Sequence, residues 1–386
     1  MSRAQAGPRR EDSGGKELKV PLIDLTRQYH SLKNDIDGAI AEVVESGRFI
    51  MGPWVGGIEK EISGLMGTAY GIGVASGTDA LEVALRAVDL QPGEEVITTP
   101  FSFVSVAEVA VKMGAGCVFV DIDAANFNII PDEIEAAITP KTKAIVPVHL
   151  FGQSADMDSI NEIAAKKGIP VIEDACQAVG SGYKNRPVGS LGEMATLSFF
   201  PTKNLGCYGD GGMVLTSDEG LYERASSIRK HGESERYKYK YIGMNSRLDS
   251  IQAAVLLVKA RRIKQWNERR REIAAMYDEA FADLPVVTPH VEKYAYHIYH
   301  QYTIKVEKRD EFRTFLNERG VGNAIHYPLG IHLQEAYEAL GYKPGDLPNT
   351  EEAARTVVSL PVFPELEQKE IEYVIASVRE FFQNGR

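Results

Sequence analysis

Cysteine is scarce: Cys117, Cys176 and Cys207 are the only three in 386 residues. Three is too few for a disulfide framework, and their spacing is not that of a metal site. All three fall in strand-like segments or in candidate site segments, where a small buried packing group is the expected role. Long hydrophobic runs are absent too. None approaches the ~18 residues that a membrane span takes, so no membrane partner is expected. Met1–Lys19 is polar and lacks the apolar core of a signal peptide. It reads as a solvated tail, and the implied setting is cytoplasmic. Basic charge is the scarcer sign, with 43 Lys and Arg against 54 Asp and Glu and a net charge of −11. That balance argues against nucleic acid as a partner. The histidines, among them His149, His231, His297, His300, His326 and His332, do not have ligand spacing, so no metal is expected. They read as loop or core groups, except His326 and, less firmly, His231.

Against this background Lys203 stands out. It lies in Ser198-Phe199-Phe200-Pro201-Thr202-Lys203-Asn204-Leu205-Gly206, between a strand-like apolar run and the glycine-rich stretch that ends at Gly212. Glycines let backbone approach a flat ligand closely, and burial lowers a lysine's pKa towards the range where its amine is a nucleophile. Such an amine forms Schiff bases with carbonyl compounds, most commonly pyridoxal 5'-phosphate (PLP). A solvated lysine in a turn is the competing reading.

Three segments converge on the first reading. In Val171-Ile172-Glu173-Asp174-Ala175-Cys176-Gln177 a carboxylate closes an apolar strand. Carboxylates there face the ligand crevice of an open α/β sheet. A PLP enzyme needs an acid against its pyridine nitrogen, and Asp174 fits, although a helix cap is an equal reading. In Val74-Ala75-Ser76-Gly77-Thr78-Asp79-Ala80-Leu81 a strand meets a helix start. Free N–H groups, hydroxyls and the helix dipole there make an anion site. In Gly243-Met244-Asn245-Ser246-Arg247-Leu248, Asn245 and Arg247 precede an amphipathic helix and can reach a phosphate or carboxylate, or serve as a cap and a solvated cation.

From about Pro21 onward the chain resembles the DegT/DnrJ group of sugar aminotransferases, through eight motifs in order. They are Gly52-Pro53 with Glu59, Ser76–Leu81, Thr99-Pro100-Phe101-Ser102-Phe103, Pro147–Gly152, Glu173–Gln177, Ser198–Lys203, Asn245–Leu248 and His326-Tyr327-Pro328. The resemblance implies the fold-type I PLP-dependent transferase architecture. It implies that Lys203 carries the Schiff base and shuttles the proton, and that Asp174 bonds the pyridinium nitrogen. Gln177 lies near the phenolic oxygen, Gly77, Thr78 and Ser198 hold the phosphate, and Phe103 stacks on the ring. Asn245 reaches the cofactor of a neighbouring subunit, making a homodimer with shared sites, while Arg247, His326 and Tyr327 face the substrate. Relatives that remove a sugar hydroxyl carry histidine in place of the lysine, so Lys203 favours amino transfer.

The Lys203 segment, Arg229–Gly232 and Ala324–Leu329 look most like the branch acting at carbon 3 of UDP-sugars, such as the UDP-2-acetamido-2-deoxy-ribo-hexuluronate aminotransferases. The implied partners are a UDP-linked 3-oxo sugar and L-glutamate, in surface polysaccharide or O-antigen synthesis. A UDP-3-oxo-N-acetylglucosamine enzyme for 2,3-diamino sugar lipid A, a carbon-4 keto-sugar aminotransferase, a PLP enzyme of another reaction type and a PLP-binding regulator are the alternatives.

Organisation follows a βα alternation. Strand-like runs at Glu95–Thr99, Cys117–Val120, Ala144–Val148, Val171–Glu173, Ala195–Phe199 and Met213–Thr216 lack strict polar alternation. That predicts an α/β fold with a mostly parallel sheet covered by helices on both faces. From Ile263 the character changes to a long charged helix, short strands and further helices. The expected division is a tail at 1–20, a large PLP-binding domain at 21–262 and a small α+β domain at 263–386.

Overall fold

A computed structural model describes residues 18–383. Seven strands build the central sheet: β1 (Tyr70–Val74), β2 (Glu95–Thr98), β3 (Gly116–Phe119), β4 (Thr142–Ile145), β5 (Ile172–Asp174), β6 (Met194–Ser198) and β7 (Gly212–Thr216). β3, β2 and β4 pair in parallel, and parallel bridges Ile145–Val171 and Val148–Asp174 carry the sheet on to β5. β5 and β6 are parallel, while β7 runs antiparallel between β6 and β1. The order is β3-β2-β4-β5-β6-β7-β1 with β7 alone reversed. The mostly parallel α/β sheet expected from the sequence is therefore present. The reversal follows from the link between β6 and β7, which contains no helix and cannot make a parallel crossover.

β6 and β7 are buried along their whole length. Their side chains alternate between two cores. Met194 and Val214 join Ile72, Leu81, Leu85 and Val106 on one face. Ala195, Leu197, Met213 and Leu215 join Ile58, Ile62 and Leu256 on the other. The first face is covered by α3 (Gly77–Ala87), α4 (Ser105–Lys112) and α7 (Glu219–Ile228), and the second by α2 (Pro53–Leu65) and α8 (Ser250–Ala260). α1 (Leu25–Ser46) lies against α8, and α5 (Pro131–Ala137) and α6 (Met157–Lys167) pack together.

The long charged helix is α9 (Ile263–Phe281). Its inner residues Ile273, Tyr277 and Phe281 join Tyr302 and Ile304 of β8 (Tyr302–Lys305) and Val358 and Leu360 of β9 (Val357–Leu360). α10 (Arg309–Glu318) and α11 (Gln368–Gln383) add Phe312, Leu316, Val374 and Phe381 to the same core. Val20 belongs to it as well, donating to the Gly320 carbonyl at 2.9 Å. Of the tail expected at 1–20, residues 1–17 lie outside the described residues. Among the described residues no helix is long and apolar enough to cross a membrane.

Candidate active site

A cavity of about 530 Å³ opens at the carboxyl ends of β5 and β6. Asp174 is the last residue of β5, Ser198 the last of β6, and Gly77 the first of α3. The opposite wall comes from His300, Gln301, His326 and Tyr327. Of the expected site residues, Gly77, Thr78, Phe103, Asp174, Gln177, Ser198, Lys203, His326 and Tyr327 line this one cavity. Asn245, exposed, and Arg247, half-buried, do not line it. His231 is exposed, with its backbone at φ +63°, and is not part of the wall.

Strand alternation separates the two adjacent carboxylates. Asp174 faces the cavity, with Oδ1 accepting the Cys176 N–H at 3.1 Å. Glu173 faces away and is fully buried. It accepts the N–H groups of Gly189, Leu191 and Gly192 at 2.7–2.8 Å and meets His149 Nε2 at 2.9 Å. His149 Nδ1 accepts the Ala155 N–H, so the ring proton is on Nε2 and is donated to Glu173.

Lys203 sits on the tight link between β6 and β7. Its N–H donates to the Phe200 carbonyl at 2.9 Å, and the Cys207 N–H donates to the Phe199 carbonyl at 2.8 Å. Gly206 is required in this link, since a Cβ there would lie 2.3 Å from the Pro201 carbonyl oxygen. The buried Lys259 side chain donates to the Gly206 carbonyl at 2.7 Å and lies 4.2 Å from the Tyr208 ring centre. Loss of water around its amine pushes the Lys203 pKa below the ordinary lysine value.

The start of α3 gathers a glycine and hydroxyls at the cavity. Ser76 Oγ caps α3 by accepting the Asp79 N–H at 3.0 Å. A Cβ at Gly77 would stand 2.7 Å from Ser198 Cβ, so only glycine lets the two backbones close in. Thr78 Oγ1 and Ser105 Oγ are 2.9 Å apart at the starts of α3 and α4.

Gln177 Oε1 accepts the Phe151 N–H at 2.8 Å, and its Nε2 donates to the Tyr327 hydroxyl at 3.2 Å. Burial pushes the Tyr327 phenol well above its usual range. His326 Nδ1 lies 2.8 Å from Ser359 Oγ. Burial, and then the charge of Lys203, push its pKa down to about 4. Phe103 is 57% exposed at the cavity mouth.

The wall includes residues that the sequence did not mark. His300 was expected to be a loop or core histidine, yet it lines the cavity with Gln301, Asp210 and Ser105. Ser105, a hydroxyl at a helix start just after the Thr99–Phe103 motif, carried a usable signal; the others carried none. Cys117 and Cys207 are buried packing groups as expected. Cys176 is instead part of the cavity wall, its thiol pushed up by burial and by Asp174. Among the wall's side chains Lys203 is the one strong base, and the carboxylates of Asp174 and Asp210 belong to the same wall.

This set fits PLP: a desolvated amine, a carboxylate fixed by backbone, and a glycine-lined helix start with hydroxyls. The DegT/DnrJ/EryC1/StrS aminotransferase family matches residues 30–379. A pleiotropic regulatory protein of Geobacillus stearothermophilus is 48% identical, over 95% of this chain and 100% of its own length. A UDP-2-acetamido-2-deoxy-3-oxo-D-glucuronate aminotransferase of Pseudomonas aeruginosa is 41% identical over 93% and 99%. A UDP-N-acetyl-3-dehydro-alpha-D-glucosamine 3-aminotransferase of Acidithiobacillus ferrooxidans is 41% identical over 93% and 97%. A Bacillus subtilis structure with bound pyridoxamine phosphate superimposes with TM-score 0.89 at 33% identity, over 96% of this chain and 86% of that one. The chain thus belongs to the DegT/DnrJ/EryC1/StrS aminotransferase family and is a PLP-dependent sugar aminotransferase of fold type I.

Proposed function

We propose that the protein moves an amino group from L-glutamate to carbon 3 of a UDP-linked 3-oxo sugar of the UDP-2-acetamido-2-deoxy-3-oxo-hexuluronate type, as a cytoplasmic homodimer serving surface polysaccharide or O-antigen synthesis. The observation that carries the reading is the meeting of Lys203, Asp174 and the α3 start in one cavity. PLP supplies an electron sink for the charge left when a carbon loses its proton. Asp174 holds a proton on the ring nitrogen and so keeps that sink effective. Lys203 Nζ, once free, moves the proton off the α-carbon of the amino donor. Gly77, Thr78 and Ser198 anchor the phosphate, Gln177 stands near the phenolic oxygen, and Phe103 covers the ring. Arg247, His326 and Tyr327 face the substrate, and Asn245 serves the phosphate of a second copy's cofactor. In this reading the cavity lies where a large unit, 21–262, meets a small one, 263–386.

Two relatives of equal similarity support carbon 3 and differ at carbon 6, one being named for a glucuronate and the other for a glucosamine. The second reading is therefore UDP-3-oxo-N-acetylglucosamine, leading to diamino-sugar lipid A. A regulatory role without PLP has no physical use for the Lys203 and Asp174 pair.

A paired assay decides between the sugars. PLP-loaded protein and L-glutamate are offered UDP-3-oxo sugars carrying a 6-carboxylate or a 6-hydroxyl, and products are read by mass. Preference for the carboxylate supports the proposal and points to Arg247 or its neighbours as the carboxylate reader. Preference for the hydroxyl moves the protein to the second reading, and amination of neither overturns both.

A further inference from the structure

His300 has no role in the account so far. It precedes β8, is 7% exposed, and forms part of the cavity wall. Its backbone is held from two sides. Gly152, at φ +99°, makes room for it, since a Cβ there would lie 3.0 Å from the His300 nitrogen. On the other side the buried Arg270 donates to the carbonyls of Tyr299, His300 and Val362.

The imidazole is held by a chain of amides whose polarity can be read from its far end. The Val179 carbonyl only accepts, so the Asn267 group 3.0 Å from it is the amide NH₂. Asn267 Oδ1 then faces Asn204 at 2.9 Å and requires a donor there. Asn204 accordingly turns its NH₂ towards Asn267, and the same group lies 3.5 Å from the Ile298 carbonyl. Asn204 Oδ1 is left facing His300 Nδ1 at 3.1 Å. An amide oxygen only accepts, so the ring proton sits on Nδ1. A neutral imidazole has one such proton, which leaves a bare lone pair on Nε2. Burial, followed by the charge of Lys203, holds the pKa of His300 well below its usual range and keeps the ring neutral.

We propose that His300 is a substrate-reading residue: its Nε2 accepts a hydrogen bond from an O–H or N–H group of the bound sugar, and the Asn204–Asn267–Val179 chain keeps that nitrogen unprotonated. The inference rests on the sugar reading given above. An acceptor of this kind meets a hydroxyl or an amide N–H favourably. A ketone oxygen or a carboxylate would set lone pair against lone pair. His300 therefore orients the sugar, turning its oxo carbon and any carboxylate away from the imidazole. Asn204 directly follows Lys203, so the turn that carries the nucleophile also sets this acceptor.

Two measurements test the proposal. Nitrogen-15 NMR of the PLP-loaded protein labelled at histidine reads the tautomer, with H300Q identifying the signal. A proton on Nδ1 and a bare Nε2 that shifts when the UDP-3-oxo sugar is added is the expected result. A proton on Nε2, or on both nitrogens, overturns the proposal without reference to turnover. In kinetics, His300→Leu should lower kcat/KM for the oxo-sugar half-reaction by roughly tenfold more than for the glutamate half-reaction, mainly through KM. His300→Gln, which keeps an acceptor oxygen and serves if the leucine variant does not fold, should recover part of the loss. Equal losses in the two half-reactions, or no loss, overturn the role of His300 alone. Failure of the unaltered protein to aminate any oxo sugar overturns the functional reading itself.

Discussion

Asp174 and Glu173 show how one residue's displacement along a strand divides chemistry from architecture. In its proposed role Asp174 holds the ring nitrogen's proton, so Asp174→Asn should lower activity by roughly 10²–10⁴-fold with the melting temperature little changed. Glu173→Gln should do the converse. It takes one acceptor oxygen from a fully buried group that satisfies three backbone N–H groups and His149, and should cost about 1–3 kcal/mol in urea unfolding. His326 sets a pH effect. Its folded pKa of about 4 lies below the unfolded value near 6.5, so between those limits the unfolded chain binds the extra proton. The share of stability that His326 contributes to the cofactor-free protein should therefore be lost as pH drops from about 6.5 to about 4, on top of the losses from the buried His297 and His300, whose pKa values burial also lowers. His326→Gln should flatten that part of a melting-temperature profile. An unchanged slope would place the effect elsewhere.

At the scale of elements, α3 ties sequence to site most directly. Ser76 caps it, Gly77 allows the close approach to Ser198, and Thr78 brings a hydroxyl to the helix start. Gly77→Ala would force a methyl to within 2.7 Å of Ser198 Cβ, so PLP affinity should drop by at least about tenfold in a fluorescence titration while the helix itself is retained. These local devices were legible because each rests on neighbours in sequence. Most strand-like runs likewise fall within a residue or two of the observed strands, since buried apolar runs bounded by turn residues mark them. The reversal of β7 was not legible from periodicity, because the same apolar run suits either direction. His300 was missed for another reason. Its partners Asn204 and Asn267 lie 96 and 33 residues away in sequence, and only folding brings the three together. Asn245 and Arg247 were legible as a motif, but their place relative to the cavity was not.

For the whole molecule, charge is the constraint. The cavity must take the cofactor's phosphate and an anionic nucleotide sugar, yet Lys203 is the one strong base among its wall side chains. Phe103, Phe200, Tyr237, Tyr239 and Ile242 are exposed at 50–86%. In the proposed homodimer these are apolar groups that a second copy would cover. Both features are in keeping with the proposed site that a second copy completes through Asn245. Mixing Asn245→Ala with Lys203→Ala protein should then restore activity in heterodimers, because one of the two sites regains both groups. No recovery despite proven subunit exchange would contradict a shared site.

The central claim is that Lys203 is the amine that binds the cofactor carbonyl. Borohydride reduction of the PLP-loaded protein, followed by peptide mass mapping, tests it most directly. The account predicts a pyridoxyl mass on the peptide containing Lys203 and none after Lys203→Ala. A label on another lysine, or its persistence in the variant, would contradict it.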